Sequence, residues 1–467
     1  MGKIKFALPR SQNVFRGRGL VHKTLASAHV PLWVFVISAG ITIGSRVAAE
    51  ETRQSEVAAL ILQLAADSFS ERETATRKLI EMGVACGAAV QDAAKSNPNP
   101  EIRARAQNVL RRLPASHLWL NSPQFDRSSV KEKLVSKSGV IERDETWTAD
   151  STYLIDANLS VSGKAKVSIA PGTVVLVKKG ATIEIGEDAA IIARADDHWN
   201  PIVFTVAAEK EDDGDAHWGK IVVRGGLAMK NVQIYRSSGI LHANNPNMEM
   251  GFYGVGIYDT EGTALTFKKY RSHHGEITIR GCTGAGVAFG DGAHPTFEDV
   301  RIFDAKEGVV TTSTTSSPHF KRLQISHMQG TGLNITHGAV NADELTIDKC
   351  KVGASFTDRS SSSWYQKATI SNCETGAIID RGSNFYSLHI SDVKGVGVHL
   401  RDKAYPNFVR VDLVRVNGTG VLVEGGSRPY IDVITQTDCK GKRLQVENGS
   451  EVREGAKAVL AELERRR

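Results

Sequence analysis

Between residues 277 and 423 one phrase recurs seven times: ITIRGCTGAGVAF (277–289), VRIFDAKEGVV (300–310), LQISHMQGTGLNI (323–335), LTIDKCKVGASF (345–356), ATISNCETGAII (368–379), LHISDVKGVGVHL (388–400) and VDLVRVNGTGVLV (411–423). Each copy holds a short apolar run, a polar break, a glycine and a second short apolar run. The glycine before the second run falls at Gly286, Gly308, Gly332, Gly353, Gly376, Gly397, Gly420 and Gly441, at intervals of 21 to 24 residues. A unit of about 22 residues has room for two or three short strands and none for a full helix. Strands of that length at a fixed period stack as the coils of a parallel β-helix, whose inward Val, Ile, Leu, Phe and Ala form one continuous core. The marker glycines are expected at a sharp corner with positive φ. A β-sandwich with evenly spaced strands would not need the same glycine in every unit.

The pattern extends upstream. SVSGKAKVSIAPGTVVLV (160–177), NPIVFTV (200–206) and HWGKIVV (217–223) have the look of opening coils. Together with the repeats they resemble the right-handed parallel β-helix proteins of the pectin-lyase-like superfamily, over residues 146–449. The resemblance implies a mainly β fold, a right-handed parallel β-helix solenoid of the kind common in secreted bacterial proteins. It says little about activity. The open strand edges of such a stack need covers. The segment EVREGAKAVLAELERRR, within residues 450–467, carries Val452, Val459, Leu460 and Leu463 on one side and is expected to form a C-terminal capping helix.

The chain has 467 residues, with 58 Lys and Arg against 52 Asp and Glu, a formal charge of +6. Composition excludes collagen-like, disulfide-scaffold and wholly disordered classes. The excess of base is confined to residues 1–49. Lys3, Lys5, Arg10, Arg16, Arg18 and Lys23 precede the apolar run VPLWVFVISAGITIG (30–44), and Arg46 precedes Val47-Ala48-Ala49. That order describes a signal peptide cleaved after Ala49, with an uncleaved inner-membrane signal-anchor as the alternative. Without those seven bases the remainder carries 51 against 52 acids. Nucleic acid is therefore not expected as a partner. The expected address is periplasmic, extracellular or at the cell surface.

Residues 50–113 have a helical period. Val57, Leu60, Ile61 and Leu64 recur at three- and four-residue steps; Ser70 and Glu73 have capping-box spacing ahead of ATRKLIEMG; and Pro100 suits the first turn of a further helix. The run Phe69, Arg72, Ala75, Leu79, Gly83, Pro100-Glu101 and Arg103 resembles a HEAT-like helical repeat, which implies docking on a neighbour or on a protein partner. Residues 114–145 have no sustained period and are expected to be a linker.

Candidate chemistry sits on the outside of the coils. Counting from each marker glycine, the fourth residue points outward and gives Gly290, Thr312, Thr336, Thr357, Asp380, Arg401 and Glu424; the fifth adds Asp291, His337, Asp358, Arg381 and Asp402. Asp380, Arg401 and Glu424 are the candidate catalytic groups, with Asp358, Arg381 and Asp402 as binding residues beside them. A lyase needs a base and a cation to hold developing charge, and a hydrolase needs two carboxylates about 5–10 Å apart. An outward charge ladder also arises as plain cross-strand pairing. The segment FKKYRSHHG (267–275) and the insertion before it place Tyr253, Tyr258, Tyr270, His273 and His274 where rings could stack on sugar, and Tyr253, Tyr258 and His273 are the candidate binding residues among them. The loop EKEDDGDAHWG (209–219) offers Asp212, Asp213 and Asp215 to calcium without the spacing of a calcium loop, and no other cofactor is expected. Of the five cysteines, Cys350 and Cys373 should stack on adjacent coils as an inward ladder of thiols. The function expected from these features is binding of extended polysaccharide or cell-envelope material. The alternatives are a polysaccharide lyase or glycoside hydrolase, and a structural spacer that docks a protein partner through its helices.

Overall fold

The computed structural model describes residues 55–82, 84–112, 130–196, 200–207, 216–243, 251–269, 271–357, 363–447 and 449–456. The leader, the acidic positions Asp212, Asp213 and Asp215, Tyr270, Asp358 and residues 457–467 lie outside them. Every paired strand is parallel to its neighbours, and most belong to one 24-stranded sheet with a second sheet of five strands. The fold is the β-helix anticipated from the period. One coil shows the plan. His319–Ser326 bends at Lys321 and Arg322, turns a corner at His327, returns as Thr331–His337 and passes to Asn341–Asp348, which lies on top of His319–Ser326.

Side chains stack in columns because the coils are in register. Phe297 and Phe320 have ring centroids 4.8 Å apart, Tyr365 and Phe385 4.9 Å, and Phe385 and Phe408 5.2 Å, close to the spacing of neighbouring strands. The column Ile302, Ile325, Ile347, Ile370, Ile390 and Leu413 is equally buried. The stack starts upstream of residue 146: Leu134–Ile141 pairs with Thr152–Val161, and Glu145–Trp147 pairs with Lys166–Ile169. These first coils use the separate five-stranded sheet and lack the marker glycine, so the repeat gives no sign of them. At the other end, Arg453 bridges to Tyr430, and the Ile431 N–H donates to the Arg453 carbonyl. Residues 451–453 therefore continue the stack; the chain turns helical at Ala456, and the rest of the expected capping helix lies outside the described residues.

The corners differ from expectation in an instructive way. None of the marker glycines from Gly286 to Gly441 has a positive φ. The left-handed corner is taken by other residues, among them Asp304 (φ 51°), His327 (62°), Lys349 (52°), Asn372 (54°), Asp392 (55°) and Arg415 (51°). The glycines are needed for space. A Cβ on Gly332 would lie 2.7 Å from the Gly353 carbonyl oxygen on the next coil and 2.7 Å from the Ile347 Cγ2 methyl. A Cβ on Gly397 would be 2.6 Å from the Gly420 carbonyl oxygen. Gly420 faces Arg443, not Gly441, so the column ends in a residue that carries a side chain.

The helical segment has its own core, formed by residues such as Val57, Leu60, Leu64, Leu79, Val90 and Val109. Its described helices are α1 (55–63), α2 (Phe69–Met82), α3 (Val84–Ser96) and α4 (Pro100–Arg112). Helix α3, VACGAAVQDAAKS, escapes periodicity because its residues shown as buried, Cys86, Val90, Ala93 and Ala94, include one branched aliphatic side chain. Pro100 does open α4, where Asn99 Oδ1 accepts from the Glu101 N–H at 2.9 Å. Helix α2 begins at Phe69, with the Ser68 carbonyl accepting from Arg72 N–H, so Ser70 lies inside the first turn. Arg72 donates to the Ala66 and Asp67 carbonyls, and Arg103 does the same to Asn97 and Pro98.

Two buried histidines interrupt the apolar columns. His242 stacks on Phe267 at 4.9 Å, and His274 stacks on Phe297 at 5.0 Å. The His274 Nδ1 accepts from the Phe252 N–H at 3.3 Å, which leaves Nε2 to carry the proton toward Ser272 Oγ at 2.5 Å. Burial pushes His242 down to about 3 and His274 well below the ordinary imidazole value, the latter helped by His242 and His273.

Two predictions follow from these packings. Gly332→Ala should destabilise the protein by about 1–3 kcal/mol in denaturant unfolding, whereas Lys349→Gly should be neutral or stabilising by up to about 1 kcal/mol because it relieves a left-handed φ. A neutral Gly332→Ala would refute the spatial role of the marker column. For the histidines the folded-state value is depressed, so both states are neutral above about pH 6.5 and pH has no effect there through these groups. Below that the unfolded chain takes up the protons first, and stability falls with pH, for His242 until about pH 3, by up to roughly tenfold in the folding constant per pH unit and histidine. The urea midpoint should drop between pH 7 and pH 5, and His242→Phe should flatten the drop; an unchanged slope in that variant would contradict the assignment.

Candidate functional site

The strands that follow the marker glycines end in a row that stays in register one residue beyond them. Thr357 N–H donates to the Ile335 carbonyl, Asp380 to Phe356, Arg401 to Ile379, Glu424 to Leu400 and Glu447 to Val423. Asp380, Arg401 and Glu424 therefore stand on three successive coils, as the glycine count predicts. Arg401 grips Asp380 with two hydrogen bonds, Nε to Oδ1 at 2.6 Å and Nη2 to Oδ2 at 3.3 Å. The Asp380 side chain is 13% exposed and that of Arg401 is 42% exposed. The hydrogen bond to Asp380 raises the guanidinium's already high pKa, with the charges of Asp380, Glu424 and Asp402 acting the same way.

Glu424 pairs with a residue that sequence inspection passes over. His399 Nε2 lies 2.7 Å from Glu424 Oε1. His399 is the outward middle residue of Val398–Leu400, so strand alternation could have found it. Next to this group, Arg381 faces Asp402 at 3.5 Å, with Arg381 15% exposed. The result is a ladder in which Asp380 is paired with Arg401, Glu424 with His399 and Asp402 with Arg381.

That arrangement bears on chemistry. Asp380 and Glu424 are two coils apart, roughly 10 Å of backbone at the strand spacing, which is near the separation an inverting hydrolase uses. A carboxylate held fork to fork by a guanidinium is, however, a poor proton donor. The same groups are well suited to recognition, because guanidinium N–H groups and carboxylate lone pairs meet hydroxyls in fixed directions.

The aromatic candidates divide. Tyr253 is 45% exposed and rests against Gly251 and Gly275, neither of which has a positive φ. His273 lies beside it with a centroid separation of 6.5 Å, and binds Thr296 Oγ1 at 3.0 Å and Glu298 at 3.6 Å. Tyr258 does not belong with them. Alternation puts it on the outside, yet it is 1% exposed, folded over Gly256 and stacked on Tyr235 at 5.1 Å. Burial raises its phenol far above the ordinary value. His274 is likewise in the core. The coils that begin at Thr296, His319 and Asn341 separate His273 from the coil of Asp380, roughly 19 Å along the axis. Tyr253 and His273 are thus not part of the Asp380–Arg401–Glu424 group.

Among the described residues no three His, Cys, Asp or Glu side chains converge as a metal site. Cys350 and Cys373 are buried free thiols on adjacent coils, as an inward ladder requires. The Cys350 thiol donates to the Asp348 carbonyl at 3.4 Å and that of Cys373 to Ser371 at 3.1 Å. Cys282 and Cys439 occupy the same place, one residue after the left-handed corner at Gly281 and Asp438. Burial raises Cys282 to about 12 and Cys86 to about 11.

Two family models match the chain. The right handed beta helix region covers residues 221–375, and the pectate-lyase like beta helix domain covers residues 139–254. The chain therefore carries β-helix domains of the pectate-lyase-like kind, and its solenoid is a right-handed parallel β-helix. Both matches end before Asp380. No curated protein and no solved structure matches the chain significantly.

Thiol labelling should reflect the burial. Cys439, the half-buried member, should react first with an aromatic disulfide reagent in the folded protein, and all five cysteines should react after denaturation. Fewer than five in the denatured, unreduced protein would reveal a disulfide and overturn the inward ladder of free thiols.

Proposed function

We propose that this β-helix protein is exported and binds extended polysaccharide or cell-envelope material along the outside of its coils, without turning it over. The observation that carries this reading is the in-register row through Asp380, Arg401 and Glu424, in which each coil presents one directional hydrogen-bonding group at a repeat of about 4.8 Å. A chain ligand with its own repeat can meet such a row unit by unit, and each contact need contribute little. The two-point grip of Arg401 on Asp380 favours recognition over proton transfer at that acid. Export rests on the basic and apolar leader of residues 1–49. No helix among the described residues is long and apolar enough to cross a membrane.

A second reading is a glycoside hydrolase or polysaccharide lyase, and the spacing of Asp380 and Glu424 across two coils favours it. The helical segment is a separate element of the proposal. Its exposed Leu62 and Phe69, and the recurrence of the Arg72 clasp at Arg103, support a HEAT-like unit that docks a protein partner.

Affinity electrophoresis against a panel of neutral and acidic polysaccharides tests the reading. Retardation is expected with at least one of them, and it should be lost in the Asp380→Ala/Arg401→Ala double variant, without release of reducing ends or unsaturated products. Product release that disappears in Asp380→Ala would replace binding by catalysis, and no retardation on any polymer would sink both.

A further inference from the structure

Tyr405 lies in the turn that joins Val398–Leu400 to Asn407–Val414, four residues after Arg401. It is 51% exposed; with Tyr253 it is one of the two exposed large aromatic side chains among the described residues of the β-helix. Its ring covers the preceding coil at Gly382. A Cβ added there would lie 2.8 Å from Tyr405 Cε2, 3.3 Å from Cδ2 and 3.4 Å from Cζ. Gly382 has no positive φ, so its backbone does not call for glycine, and the room it leaves is filled by the ring. The turn is held from the next coil: Lys403 N–H donates to the Gly425 carbonyl, and Ala404 N–H to Ser427 Oγ at 3.0 Å. Pro406 then restricts Tyr405 to extended backbone. An exposed ring fixed in this way loses little freedom when something stacks on it.

We infer that Tyr405 is a stacking platform for a neutral sugar ring, set beside the Asp380–Arg401 pair. This deepens the proposed polysaccharide-binding function and rests on it. One face of a pyranose is a patch of C–H bonds that packs on an aromatic ring, while its hydroxyls project from the edge. Gly382 is two residues from Asp380, so the fork of Asp380 and Arg401 is available to those hydroxyls. The charge around the ring does not single out an acidic sugar. Arg401 and Arg381 each already face a carboxylate, Asp380 and Asp402, and an incoming uronate would meet the exposed Asp402 and the nearby Glu424. The exposed Lys403 and Arg428 bring the cations of these turns to four against three acids, so the surface is close to balanced and offers a uronate no concentrated positive charge.

The test is calorimetric titration of the full chain with cellohexaose, chitohexaose and hexagalacturonate, for the unaltered protein and for Tyr405→Ala, Tyr405→Phe, Gly382→Ala and Asp380→Ala/Arg401→Ala. A neutral hexasaccharide should bind with little dependence on salt. Tyr405→Ala should weaken it about tenfold, Gly382→Ala should weaken it by lifting the ring, and Tyr405→Phe should stay within about twofold because the ring face remains. Unchanged unfolding midpoints would show that Tyr405→Ala is folded. The platform is refuted if Tyr405→Ala binds like the unaltered protein while Asp380→Ala/Arg401→Ala does not, or if hexagalacturonate is preferred. If none of the three binds the unaltered protein, the platform and the polysaccharide-binding function fail together.

Discussion

From Gly286 onward the solenoid depends on how closely one coil approaches the next at the marker glycines. At Gly332 the missing Cβ would meet the carbonyl oxygen of Gly353 and the methyl of Ile347 at once. The backbone of one coil and an isoleucine from the facing strand share that space, and a side chain would hold them apart. Interiors are packed too tightly to absorb such a shift locally. The repeat of the glycine therefore fixes both the distance and the register of the coils. Where the column runs out, beneath Gly420, the next residue in line is Arg443, which is exposed and no longer has to admit a further coil. Register then turns every outward position into a straight row.

The corner opposite follows from the same register. Asp304, His327, Lys349, Asn372, Asp392 and Arg415 hold left-handed φ values at which most side chains cost energy. The strain is offset because the backbone ladder continues through the turn: Lys349 N–H donates to Ser371, Asn372 to Ser391, Asp392 to Val414 and Arg415 to Thr437. Side chains add to it, as in the two-point grip of Arg415 on Asp392 at 2.5 and 2.7 Å. Sequence inspection expects glycine to mark positive φ, and in these coils the two properties are assigned to different positions. The period is legible because glycine is conspicuous; the corner is not, because Lys and Arg carry no signature of a conformation imposed by hydrogen bonds from the next coil.

The candidate face was legible to a similar depth. Alternation counted from the glycines places Asp380, Arg401 and Glu424 on one row, since that depends only on register. It does not say that Arg401 would choose Asp380 or that His399 would take Glu424, which depends on how side chains lean across coils. Alternation also fails where outward residues bury one another. Tyr235 and Tyr258 stack on adjacent coils and leave water, although each occupies an outward position. Tyr405 escapes because its meaning lies in Gly382, 23 residues earlier in the chain and one coil away in space.

The inner columns and the outer rows differ in what they contribute. Deleting an inward Phe or Ile costs several kcal/mol by creating a cavity, whereas an exposed ion pair contributes about 0–1 kcal/mol. Arg410 with Asp412, or Arg415 with Asp392, can change without loosening the stack. The outer surface of a β-helix is thus close to a free choice of side chains on a fixed lattice. Groups there that are rigid beyond what stability requires call for another explanation. Asp380, 13% exposed and gripped at two points, and Tyr405, laid on a glycine two residues beyond Asp380 and followed by proline, are rigid in that sense. Rigidity on a surface that gains little from it is what a recognition site needs, because the ordering cost has been met before the ligand arrives.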